Sequence, residues 1–227
     1  ALPIFWLEEI KIPRARLVKL GDKSNFWPSN ARQNGPNGPC GPCSEIFYDY
    51  GHNPKCKNPD CNPDCDCGRF AEIWNLVSTQ FNRKDGGVLD PLPAKNIDTG
   101  MGLERLTAVL QGKKSNFDTD LFMPIRDAID REIAGSCPIA PKEKLIIADH
   151  VRAVVFSIAD GVLPSNKERG SVVKRLIVDS ANIAFDAGVN APVIWKLVSA
   201  VVAVMKSQYP EIEEKAGEIA AMIKKTE

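Results

Sequence analysis

The sequence predicts an α+β protein in two parts: an antiparallel-sheet part carrying a tight cysteine loop, and an all-helical part behind it. Three observations carry this. Residues 70–82, "FAEIWNLVSTQFN", alternate as a strand does, with Ile73, Asn75 and Val77 set against Trp74 and Leu76. Composition changes near residue 113: before it lie most of the glycines, aromatics and prolines and six of the seven cysteines. After it, apolar residues recur at helical spacing. With 227 residues, 44% hydrophobic and 26% charged, the chain is long enough for a real core and two domains.

The elements follow in order. "ALPIFWLEEIKIPRARL" has early acids and no basic leader, so it does not read as a secretory signal. It has no initiator Met, which points to a processed, trimmed or partial chain. Strands are expected at 17–20, 44–50 and 70–82. Loops rich in Pro, Gly and Asn are expected at 21–43 and 51–69. "MGLERLTAVLQG" reads as a helix capped by Asp98 or Thr99, burying Leu103, Leu106, Val109 and Leu110 and stopping at Gly112. Helices then run through "DLFMPIRDAIDREIAG", ending on Gly135, and "PKEKLIIADHVRAVVFSIADG", with Leu145, Ala148, Val151, Val154 and Ile158 on one face. "RGSVVKRLIVDSANIAFDAG", "PVIWKLVSAVVAVMKSQ" and "PEIEEKAGEIAAMIKK" complete the helical part. No internal repeat is read.

Composition also excludes. Lys plus Arg and Asp plus Glu are both 29, so nucleic-acid binding has to rest on a local patch. No apolar run reaches the roughly 18 residues of a membrane span. Seven cysteines, odd in number and locally crowded, suit a reducing cytosol, and a cytoplasmic location is expected.

Two stretches carry chemistry. In "NIDTGMGLER" one reading is a capped helix. The other sees two glycines that let a ligand approach the backbone, an arginine fork for phosphate, and a carboxylate at Asp98 for an ammonium group. In "CKNPDCNPDCDC" four thiols, Cys56, Cys61, Cys65 and Cys67, match what tetrahedral Zn²⁺ takes. The loop has too little apolar content to fold otherwise. Local disulfides and free thiols are the alternatives, though a Cys65–Cys67 bond would be strained. His52 is a possible substitute ligand. With no position left for water, such a zinc would be structural. Cys40 and Cys43 form a second close pair, read as part of a rigid ligand-facing loop more than as a redox couple. Cys137 reads as a linker or core thiol.

Taken together, "NFWPSN", "GPCGPCSEIFYDYG", "GRFAEIWNLVSTQFNR", "LPAKNIDTGMGLERLTAVLQGKKSNFDTDLF" and "ADHVRAVVFSIADGVLPSNKERG" resemble the alanine–tRNA ligases, class II aminoacyl-tRNA synthetases, over almost the whole chain. "DTGMGLER" resembles the third signature motif of that class. The resemblance implies ATP-dependent activation of alanine, its transfer to the 3′ end of tRNA, and a class II sheet followed by a helical recognition domain. By it residues 1–112 are the C-terminal part of the aminoacylation domain and 113–227 the helical domain that meets the acceptor stem.

Roles carry over by position. Asp98 matches the acid that holds the substrate ammonium, Asn75 and Val77 the small side-chain pocket, and Trp27 the aromatic closing over the amino acid. Gly100 and Gly102 match the glycines against which ATP lies, and Arg105 the grip on its terminal phosphates. Glu45 is set toward Mg²⁺ or ATP. Asn166, in "LPSNKERG", matches the asparagine that reads the acceptor stem's minor groove. Lys167, Arg169, Lys174 and Arg175 against Glu168 make a basic stretch suited to phosphate, or else a solvated helix face. Arg152 is a further tRNA candidate.

The chain also departs from the pattern. The first two class motifs, the editing domain, the C-terminal domain and the acid that partners the asparagine do not occur in it. Val178 and Asp179 stand where the family has two arginines, and Ser78 and Thr79 where larger apolar residues are usual. The expectation is a ligase part completed by an N-terminal synthetase segment or subunit. The alternatives are a non-catalytic paralogue that binds tRNA, alanine or ATP, and a zinc-stabilised interaction protein.

Overall fold

Strand pairing in the first half and helix packing in the second separate the chain into two compact units, Ala1–Lys114 and Ser115–Glu227. The structure is a computed structural model that describes residues 2–133 and 137–227. The expected helix end at Gly135 lies outside the described residues.

The first unit carries four antiparallel strands in the order β1-β2-β3-β4: β1 (Phe26–Trp27), β2 (Gly38–Asp49), β3 (Phe70–Arg83) and β4 (Leu89–Met101). A short helix, α1 (Leu2–Ile4), and a π turn, Phe5–Glu9, precede them. The alternating run expected at 70–82 is β3. Two expectations fail. Residues 17–20 pair with no strand; they follow a 3₁₀ turn at Arg14–Arg16, and the Leu20 N–H donates to Asn25 Oδ1 at 2.7 Å. β2 starts at Gly38, inside the expected loop. A register shift between Cys40 and Cys43 absorbs the two Gly-Pro steps, and a Cβ on Gly41 would lie 1.9 Å from the Ser78 carbonyl oxygen. β4 carries Pro91 and Pro93. It is an edge strand, where a missing N–H on the outer side leaves no ladder bond broken.

This late strand also moves the next helix. α2 spans Leu103–Leu110 with Gly102 as its N-cap, so Asp98 and Thr99 lie in β4 and cap nothing. Thr99 Oγ1 instead accepts from Trp74 Nε1. Gly112, at φ +64°, does stop the helix. Its expected buried face is rotated: Ala108 is buried, whereas Leu103 and Leu110 are 57% and 76% exposed. The small core of this unit is Phe26, Ala31 and Cys40 with Phe81 and Leu89 against them.

The second unit is helical: α3 (Met123–Glu132), α4 (Pro141–Ala159), α5 (Glu168–Asp186), a 3₁₀ turn (Ile194–Leu197), α6 (Val198–Met205), α7 (Glu211–Glu214) and α8 (Ala216–Thr226). Pro141 opens α4, where the Glu143 carboxylate accepts from the Ala140 N–H at 3.0 Å. Ala148, Val151, Val154 and Ile158 face the core as expected, with Leu145 half-buried. Ile125, Ile129, Ile147, Leu197, Val201, Ile212, Ile219 and Ile223 join them in one cluster. No helix is long and apolar enough to cross a membrane among the described residues.

Candidate functional site

Paired residues of an antiparallel ladder point to the same face, so the register alone assembles a site. One row across the sheet is Cys43, Val77 and Asp98; the next is Glu45, Asn75 and Gly100. Val77 and Cys43 are buried, Glu45 and Asn75 half-buried, and Asp98 and Gly100 exposed. Within the second row, Asn75 Nδ2 donates to Glu45 Oε1 at 3.0 Å. Asn75 Oδ1 is buried and has no hydrogen-bond partner. Among the described residues the Asp98 carboxylate makes no hydrogen bond or ion pair. The opposite face holds Ser44, Leu76 and Thr99, with Trp6 Nε1 donating to Ser44 Oγ at 3.2 Å.

Burial sets the ionisation of this face. It pushes the Glu45 carboxyl up to about 7, helped by negative charge on Glu72 and Asp64. It pushes the Cys43 thiol up to about 12, with Glu45 and Glu72 adding to it. A thiol held that high is no nucleophile, and Cys40, also raised by burial, is no better. Cys43 Sγ instead donates to the Ser24 carbonyl at 3.2 Å, which fits a packed wall. Cys137 is exposed in the linker, so only the linker half of its reading holds.

The two motif glycines differ. Gly100 has no left-handed φ, and a Cβ there would meet nothing within 4 Å, so neither the backbone nor packing demands glycine. Open space over it suits a ligand lying on the strand. Gly102 carries the turn into α2, its N–H donating to the Ile73 carbonyl at 3.1 Å. One turn on, Arg105 Nη1 donates to the Glu72 carbonyl at 3.0 Å and approaches Glu72 Oε2 at 3.4 Å. Its side chain remains 52% exposed, so its other donors are available. Trp27, 45% exposed, sits on β1 opposite Gly41.

The four loop cysteines converge, with all four sulfurs within 4.8 Å of one another. Cys56 and Cys65 sulfurs are 3.7 Å apart and those of Cys61 and Cys67 3.5 Å. Sulfurs bound about 2.3 Å from a tetrahedral zinc stand about 3.8 Å apart, so the set fits that ion. His52 is not in the group. The local geometry has a cause that the sequence reading missed. The loop repeats one unit, Asn-Pro-x-Cys, at 53–56, 58–61 and 62–65. In each, the Asn side chain accepts from the backbone N–H two residues on, at 2.9–3.0 Å. In the first and third, the Cys N–H closes the turn on the Asn carbonyl at 2.9 Å. Proline at the second position presets that turn. The loop is tied down by Asn53 Nδ2 on the Cys67 carbonyl and by Ser24 Oγ on Asp64.

In the helical unit, "LPSNKERG" turns into the N-terminus of α5. The Ser165 N–H donates to the Gly170 carbonyl at 3.0 Å. A Cβ on Gly170 would stand 2.3 Å from Ser165 Oγ, so that position demands glycine. Asn166 is exposed, with its Oδ1 accepting from Lys174 Nζ at 2.7 Å. Lys167, Arg169 and Arg175 are exposed as well. Arg152 stacks over the Phe122 ring at 4.3 Å. Asp179 is exposed on the same helix.

A family model described as tRNA synthetases class II (A) matches residues 3–227. The chain belongs to the class II tRNA synthetases. Its sequence is similar to several synthetases named alanine–tRNA ligase. That of Elusimicrobium minutum is 46% identical over 225 residues, that of Oceanobacillus iheyensis 43% over 226, and that of Bacillus subtilis 42% over 230. These matches cover 96–98% of this chain and 25% of each relative. The chain thus spans about a quarter of the length of the curated relatives it matches.

Proposed function

We propose that this synthetase chain holds alanine and ATP on its sheet and meets a tRNA acceptor stem through its helical unit, as part of an alanine–tRNA ligase. The observation that carries this is the pair of rows across β2, β3 and β4, in a chain 42–46% identical to alanine–tRNA ligases. Asp98, unpaired and exposed, pairs with the substrate ammonium. Val77 and Asn75 line the side-chain site, and Trp27 closes over it. ATP lies on the bare backbone at Gly100 and Gly102, and the free donors of Arg105 take its terminal phosphates. In activation the alanine carboxylate attacks the α-phosphorus and pyrophosphate leaves. In transfer a ribose hydroxyl of the tRNA 3′ end attacks the carbonyl and AMP leaves.

The resemblance sets Glu45 toward Mg²⁺ or ATP. An ion delivered on ATP takes most of its ligands from phosphate oxygens and water. Zn²⁺ held by Cys56, Cys61, Cys65 and Cys67 pins the loop and leaves no open position for chemistry. Residues 1–112 then act as the C-terminal part of an aminoacylation domain and 113–227 as an acceptor-stem domain. Asn166 reads the minor groove with the second lone pair of Oδ1, beside Lys167, Arg169, Lys174 and Arg175 on phosphates, with Arg152 as a further contact. The remaining synthetase segments, including an N-terminal piece with the first two class motifs, complete the α-phosphate site, and the whole works in the cytoplasm.

One observation favours a second reading. Exposed Asp179 sets negative charge on the helix that bears the basic stretch, which weakens a phosphate-binding face and suits a non-catalytic paralogue. Alanine-dependent ATP–pyrophosphate exchange, run with and without the N-terminal segment, separates the two. Exchange that needs the segment is the expected result. Silence in both, with tRNA still bound, would leave the paralogue.

A further inference from the structure

The resemblance gives Glu45 and Asn75 separate tasks, and one hydrogen bond joins them. An amide side chain can sit either way round, and only its partners decide which end points where. Here the Nδ2 end faces Glu45 Oε1 at 3.0 Å, and the Oδ1 end is buried without a donor. Turning the amide over would set two oxygens against each other while Glu45 is ionised. A buried acceptor left unpaired is destabilising. A ligand N–H arriving in that row supplies what is missing.

We infer that Glu45 is a positioning residue, which fixes the rotation of the Asn75 amide so that Oδ1 serves as a second acceptor, with Asp98, for the ammonium of the bound amino acid. The inference rests on the alanine-site reading above. The register supports it independently of any role toward ATP: Glu45 and Asn75 are directly paired, and Val77 and Asp98 form the adjacent row on the same face. Since the Glu45 carboxyl is held up to about 7, its grip on the amide changes across neutral pH. The groups that bear on it are Cys43 on its own strand, Glu72 on β3 and Asp64 on the cysteine loop; Arg105 on α2 offsets Glu72. Above the transition the ionised carboxylate can only accept, and the amide is fixed. Below it, the protonated carboxyl can donate, and the flipped amide becomes equally good.

The test uses the 227-residue chain, isotope-labelled for NMR, beside Glu45→Gln and Glu45→Ala, with alanine as the probe and ATP as the control. In the wild type the Asn75 side-chain amide resonance should follow one titration near pH 7, and alanine affinity should fall about ten-fold below it. Glu45→Ala should lose about ten-fold in alanine affinity at every pH, with ATP affinity unchanged. Glu45→Gln can accept from the amide or donate to it, as the protonated carboxyl does. It should bind alanine at every pH as the wild type does below the transition, with no pH dependence. An amide resonance indifferent to pH, or Glu45→Ala binding alanine like the wild type, would overturn the inference. So would equal loss of alanine and ATP, which would assign Glu45 to the nucleotide. If Glu45→Ala does not fold, the Gln variant carries the comparison. If the wild type binds neither ligand, the alanine-site reading fails on its own. The amide resonance then decides the positioning claim, supporting it by following Glu45 and overturning it by not doing so.

Discussion

At the scale of single residues, ionisation and free partners separate function from packing. Asp98 has no partner among the described residues, so replacing it removes a binding charge and no internal bond. Asp98→Asn should cost about 100-fold in alanine affinity, roughly 2.8 kcal/mol, and leave ATP affinity unchanged, as titration calorimetry would read. Equal loss of both would sink its role. Glu45 has a stability signature as well. Its folded carboxyl titrates near 7 and its ordinary value is 4.5, so the folded state binds the extra proton between them. Stability therefore falls as pH rises through that window. Glu45→Gln should raise the thermal midpoint above neutral pH, and the gain should vanish in acid. Several of these residues were legible in sequence as types. Asn75 and Val77 alternate visibly on one strand. The link from Asn75 to Glu45 was not, because it depends on cross-strand register over 30 positions.

At the scale of elements, local pattern succeeded where one neighbour suffices and failed where an edge decides. β3 and the core face of α4 are written in period two and period 3.6. β4 is not, because Pro91, Pro93 and Gly100 interrupt the pattern and its edge position accommodates them, and nothing local announces which strand will be the edge. The helix start at Leu103 was misread for the same reason: Asp98 and Thr99 look like caps until the strand before them is known. The cysteine loop predicts a clear thiol pattern. Exposed Cys137 should alkylate first, while buried Cys40 and Cys43 resist at neutral pH. Metal analysis should return about one zinc per chain, and Cys56, Cys61, Cys65 and Cys67 should become labelled only after chelation. Four fast thiols without a chelator, together with no metal, would remove the zinc.

At the scale of the whole chain, the two units differ in how far each supplies its own core. The helical unit closes a large apolar cluster on itself. The sheet unit has a small one, and β4 offers an unpaired edge with Ile97 77% exposed and Met101 42% exposed. Such an edge is a template for another strand. The chain by itself should self-associate with rising concentration in analytical ultracentrifugation, and Ile97→Lys should suppress it. A monomer at all concentrations would show the edge to be blunted already. The family was legible because motif order along the chain survives even where only a quarter of a relative's length is present.

A metal cage whose ligands sit on separate elements has to wait for the fold to bring them together. Here three of the four cysteines, Cys56, Cys61 and Cys65, each follow an Asn-Pro-x turn in which the asparagine side chain accepts from the N–H two residues on. During synthesis these turns can therefore form while β3 is still inside the ribosome, before there is a sheet to attach to. The loop between β2 and β3 then enters folding as a finished hinge pin, shortening the search by which those two strands find their register.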